Sequence, residues 1–137
     1  MSQDMYLPIR VTSPTEYKGC CVVDPETNQL VFKIKRTLVV NANSSDIVSA
    51  RTKVTIPNGY LALLTPSLAM RAYGLETDKS IQILYPSVQA GDEEVRLFLS
   101  NTLTDRAVKV PRGTEYARLT FLRVPKIEPK YVYTEKE

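Results

Sequence analysis

The chain has no histidine and no tryptophan, and only two cysteines and five glycines among its 137 residues. Without histidine there is no imidazole base, no Ser-His-Asp or Cys-His nucleophile pair, and none of the commonest metal ligand. Two cysteines alone cannot close a structural zinc site. They are adjacent, Cys20 and Cys21, a spacing that suits neither a disulfide framework nor a CxxC redox motif. The sequence therefore predicts two reduced, half-buried residues on a strand, with no metal and no cofactor. No apolar run approaches the roughly 20 residues that span a bilayer; the longest, such as Tyr60–Leu64, are far shorter. Nor does a charged start followed by an apolar stretch appear at Met1–Val11. The expected location is intracellular, cytoplasmic or nuclear, with no membrane partner.

Hydrophobic residues make up 43% of the chain and charged residues 24%, values of an ordinary globular domain that exclude a disordered or fibrous chain. Net charge is +3, and its densest cluster is Lys33, Lys35 and Arg36, flanked by apolar residues at period two. This reads as the solvated face of a strand. No basic arm, Gly-rich phosphate loop or run of aromatics on basic strands points to nucleic acid.

Nine prolines and many short Val/Ile/Leu/Thr/Tyr runs describe strands joined by turns. Leu30, Phe32 and Ile34 alternate with Val31, Lys33 and Lys35, and Val95, Leu97 and Leu99 alternate with Glu94, Arg96 and Ser100. Pro57-Asn58-Gly59 and Pro111-Arg112-Gly113 are turn signatures, and Asn41–Asp46 is a polar stretch rich in turn formers. Ser67–Tyr73 is the single candidate for a short helix. No strand–long helix–strand unit recurs, so the expected fold is all-β: a small antiparallel jelly roll or barrel with at most one short helix. Residues 1–124 form the expected domain. Residues 125–137, opened by two prolines, form an extended C-terminal arm.

The order "KVTIPNGY" at Lys53–Tyr60, "LLTPSLAMRAYGLE" at Leu63–Glu76, "EEVRLFLSN" at Glu93–Asn101 and "DRAVKVPRGTEYARLTFLRV" at Asp105–Val124 resembles the trimeric dUTPase family. The resemblance covers Arg51–Val124. It implies a dUTPase-like β-barrel that assembles as a homotrimer, in which the C-terminal arm reaches a neighbouring subunit.

The catalytic motifs that the resemblance implies are eroded. The family activates its water with an Asp and stacks an aromatic ring on uracil; the matching stretch Ile81–Gly91, "IQILYPSVQAG", has no acid before Asp92, and Tyr85 is its only aromatic ring. A basic-Ser-Gly turn that binds phosphate reads Pro66-Ser67-Leu68, with Arg71 close by. The Asp that would engage Mg²⁺ through water is replaced at Lys18–Val22 by the thiol of Cys21, a poor partner for a hard cation. The Gly-rich closing arm is missing, since no glycine follows Gly113. Ser67, Arg71 and Tyr85 are thus candidates for a vestigial nucleotide cleft, with no catalytic and no metal residue assigned. The pattern is similar to the dUTPase-related early protein of adenoviruses, a non-catalytic branch. It implies an inactive trimeric scaffold, viral in origin, that binds a host or viral protein. Two alternatives stand beside it: a virion or assembly component, and a divergent nucleotide pyrophosphatase using Asp92, Glu93 or Glu94.

Overall fold

A computed structural model describes residues 6–77, 81–86 and 93–135. Among these residues eleven strands, one α-helix and a single 3-10 turn follow in chain order: β1 (Val11–Thr12), the 3-10 turn (Thr15–Tyr17), β2 (Cys21–Asp24), β3 (Gln29–Lys33), β4 (Leu38–Val40), β5 (Ser44–Val54), β6 (Tyr60–Pro66), α1 (Leu68–Ala72), β7 (Leu75–Glu76), β8 (Gln82–Leu84), β9 (Glu93–Asn101), β10 (Val108–Val110) and β11 (Glu115–Arg123). A four-stranded sheet runs β1-β5-β9-β7 and a five-stranded sheet β2-β3-β11-β6-β8, while β4 and β10 form a separate ribbon. The paired strands are antiparallel throughout. This is the all-β jelly-roll architecture expected from the sequence, with its one short helix.

Alternation builds the core. Val95, Leu97 and Leu99 of β9 point inward together with Val54 of β5. Phe32, Ala62, Leu64, Ala117 and Leu119 meet them from the five-stranded sheet, and Met70 of α1 joins the same cluster. The turns at Pro57–Gly59 and Pro111–Gly113 are formed as read; Gly59 and Gly113 hold φ of 87° and 86°, where a side chain would be strained.

Three local readings need correction. The polar stretch 41–46 is a turn only as far as Asn43, whose φ is 53°. From Ser44 the chain is already β5, pairing Ser44, Ser45 and Asp46 with Asn101, Ser100 and Leu99. These side chains are exposed, so pairing with β9 overrides their weak strand preference. Lys33 ends β3, and Lys35 and Arg36 lie past it in a bend rather than on a strand face. Of the two cysteines expected on a strand, only Cys21 is in β2; Cys20 lies in a bend just before it.

One buried polar residue ties the sheets to the ribbon. Asn101, 2% exposed, ends β9. Its Nδ2 donates to the carbonyls of Val40, Asn41 and Arg106 at 3.0, 3.2 and 3.1 Å, and its Oδ1 accepts from the Leu103 amide at 3.0 Å. The one side chain satisfies main-chain groups at the end of β4 and before β10, where no strand partner could.

Candidate functional site

The end of β6 creates the first feature. Ser67, extended at φ −73° and ψ 149°, caps α1 by accepting a hydrogen bond at Oγ from the Ala69 amide. Its main-chain amide donates to the Tyr116 carbonyl, fixing it against β11. The same Oγ donates to Oε2 of Glu115 at 3.0 Å. Arg71 is exposed on α1 and lines, with Ser67, Gly74 and Glu76, a cavity of about 700 Å³. Tyr85 lies elsewhere. It follows Leu84, which pairs with Ala62, and Ser67 is five residues further along, about 16 Å at 3.3 Å per residue. Within one chain, then, Ser67 and Arg71 share a cavity and Tyr85 does not. Tyr85 directly follows β8 and is exposed, a strand-ending position. Asp92 lies outside the described residues; the backbones of Glu93 and Glu94 belong to β9, opposite Val54 and Lys53.

The second feature, Arg118, escaped sequence reasoning. Its Nε and Nη2 grip both oxygens of Glu115 at 2.8 and 2.9 Å. Its Nη1 donates to Oδ2 of Asp24 and Oε1 of Gln29, each at 3.0 Å, and to the Thr27 hydroxyl at 3.3 Å. A bulge makes this possible. Pairing of β11 with β3 slips between Glu115 and Ala117, so Tyr116 and Ala117 both turn inward. Residues three apart in a regular strand face opposite ways; the extra residue returns Glu115 and Arg118 to one face.

The three charged side chains are 22–28% exposed, so their attraction is only partly screened. The guanidinium gripping Glu115 holds that carboxyl below its ordinary range, with a further contribution from the Ser67 hydroxyl. The Glu26 amide, donating at 3.0 Å, does the same for Asp24, helped by Arg118. Both carboxylates favour the charged form in the folded state. Their contribution to stability is therefore complete above the ordinary carboxylate range near pH 4 and is lost as pH falls through the lowered folded values. Arg118→Met should melt lower than the wild type at pH 7, with the gap closing below about pH 4. Melting curves across pH 3–7 check this; a gap constant with pH would mean that only the packing of the arginine stem was lost.

Cys21, which stands where the resemblance implies a Mg²⁺-engaging Asp, does not fit that cation. Cys20 and Cys21 are free thiols, and burial pushes Cys21 up to about 11, leaving a neutral, soft group where a carboxylate would be needed. Asp24, on the same strand, is engaged by Arg118. Among the described residues no three Cys, Asp or Glu side chains group as metal ligands, and no helix is long and apolar enough to cross a membrane.

No protein-family model matches the sequence, and no curated protein matches it. Solved structures do match the fold. The native dUTPase of EIAV superposes with a TM-score of 0.65 at 12% identity, covering 94% of this chain and 99% of its own. A mutant dUTPase of Staphylococcus bacteriophage 80alpha gives 0.70 at 13%, covering 95% and 99%. Its description states that phage dUTPases control transfer of virulence genes by a proto-oncogenic G protein-like mechanism. A mutant dUTPase from phage phi11 of S. aureus, described with a coordinated structural Mg(II) ion, gives 0.68 at 14%, covering 96% and 100%. The chain thus has a dUTPase-like fold over nearly its whole length.

Proposed function

We propose that this chain is a catalytically inactive dUTPase-like scaffold of viral origin. It acts as a homotrimer that binds a host or viral protein, in the manner of the non-catalytic branch its motifs resemble. The observation that carries this reading is the bond from the Ser67 hydroxyl to Glu115. In the resemblance, that serine belongs to a basic turn that binds phosphate. Here it donates into a carboxylate that Arg118 already grips, and Asp24 adds a second negative charge to the same cluster. One cation against two carboxylates leaves the cluster net negative, which repels a phosphate chain. Among the described residues Arg71 is the one cation lining the cavity, beside Glu76.

Exposed apolar surface supports assembly. Ile47 and Phe98 are opposite one another on the outer face of β5 and β9, each nearly half exposed. Residues 124–135 form no strand and are exposed along their length, with Tyr131, Val132 and Tyr133 at least 72% exposed. We assign residues 1–124 to the β domain and 125–137 to an arm that reaches a neighbouring subunit. The solved dUTPases of similar fold include viral ones, and one is described as controlling gene transfer; both points favour a viral, regulatory role. Light scattering at micromolar concentration should give about three times the chain mass of 15.4 kDa. A mass near that of one chain would remove the trimer. Truncation after Pro125 that leaves the trimer intact would remove only the arm.

A further inference from the structure

The basic cluster singled out in the sequence gains two members in the fold. Lys18, in the turn before β2, and Arg112, in the turn before β11, join Lys33, Lys35 and Arg36 around one concavity of about 380 Å³. Five cations and a single carboxylate, Glu16, line it, a net of +4 where the whole chain carries +3. This lining is thus more positive than the chain as a whole.

The arrangement of these cations matters as much as their number. Lys35 is held in position: its Nζ lies 3.8 Å from Glu16 and 4.9 Å from the centre of the Tyr17 ring. Lys18, Lys33, Arg36 and Arg112 have no ion-pair partner among the described residues. Gly19 and Gly113 form part of the wall, and no atom lies within 4 Å of where a Cβ would stand on either. The main chain of both turns is thus open to close approach. Like charges crowded into a concavity repel one another, and a multiply charged anion relieves that repulsion at several points at once.

We propose that this concavity binds a compact polyphosphate group, free or carried on a nucleotide. Its size admits a short phosphate chain, and its charge matches three to four anionic centres. A nucleic-acid strand fits less well. The lining has no exposed aromatic platform for bases, and the nearby Tyr17 ring is covered by Lys35. The concavity is separate from the Ser67–Arg71 cavity, with which it shares no lining residue.

The test is calorimetric titration of the full chain with inorganic tripolyphosphate, orthophosphate, ATP, AMP and a 20-nucleotide single strand at constant ionic strength. Tripolyphosphate should bind at least tenfold tighter than orthophosphate and weaken steeply as salt rises. ATP matching tripolyphosphate, with AMP weak, assigns recognition to the phosphate chain alone; ATP tighter than tripolyphosphate assigns it to a nucleotide-borne chain. Lys18→Gln with Arg112→Gln, both on exposed turns, should lose at least tenfold, while Arg71→Glu should bind as the wild type does. Thermal melting confirms that each variant is folded. Equal weak binding of all anions would overturn the proposal, as would loss on Arg71→Glu with retention in the double variant. An oligonucleotide that outcompetes tripolyphosphate at equal phosphate concentration would make this a nucleic-acid surface and overturn it too.

Discussion

Asn101→Asp should lower the thermal midpoint by about 10–15 °C, because it replaces the donor shared by three carbonyls, that of Val40 buried and those of Asn41 and Arg106 partly so, with a second acceptor. The substitution is nearly isosteric, so packing is preserved and only the hydrogen-bond chemistry changes. Asn101 is 2% exposed, and Val40, Asn41 and Arg106 all direct carbonyls at its Nδ2. An unsatisfied buried group costs about 1–3 kcal/mol, and the losses around one side chain are not additive, so about 3 kcal/mol is expected. Asn101→Leu should cost a similar amount, since the Leu103 amide also loses its acceptor. Denaturant unfolding at pH 7 measures both. A loss under 1 kcal/mol for the two variants would mean that the ribbon of β4 and β10 holds its place without this residue.

The second large effect lies where β3 and β11 meet. Phe32 and Tyr116 are 1% and 2% exposed, and their ring centroids are 6.4 Å apart at a 48° tilt. Phe32→Ala and Tyr116→Ala should each cost about 3–5 kcal/mol, a large share of the roughly 5–15 kcal/mol available to a domain. The double variant should lose less than the sum by about 0.5–1.5 kcal/mol, the worth of the aromatic contact itself. Tyr116→Ala has a further consequence that Phe32→Ala lacks. Tyr116 is the extra residue of the bulge, so its removal loosens the geometry that sets Glu115 and Arg118 on one face. The pH dependence of stability between 3 and 7 should flatten in Tyr116→Ala and persist in Phe32→Ala. Identical pH profiles would separate the bulge from the charge cluster.

The strands with clean alternation were readable because each has one buried and one solvated face. In β9, Val95, Leu97 and Leu99 are buried while Arg96 and Phe98 are exposed. The turns at Gly59 and Gly113 were readable because their φ of 87° and 86° strongly favours glycine. The start of β5 was not, since Ser44, Ser45 and Asp46 carry turn chemistry and owe their strand state to a partner more than 50 residues away. The same distance hid the Arg118 cluster. Asp24 and Gln29 are 94 and 89 residues from it in sequence. A strict period of two would also have set Glu115 and Arg118 on opposite faces. The one local signal was the apolar doublet Tyr116-Ala117, which breaks the alternation at the position of the bulge. Ser67 was legible as a turn serine, but its partner was not, and that partner changes what the serine can bind.

The most direct measurement is pyrophosphate release from dUTP with Mg²⁺, for the wild type and for Asp92→Ala. An inactive scaffold predicts background release from both, because Ser67 is committed to Glu115 and Cys21 offers Mg²⁺ a neutral thiol. Turnover of about 1 s⁻¹ or more, within the ordinary enzyme range, that disappears in Asp92→Ala would contradict the account.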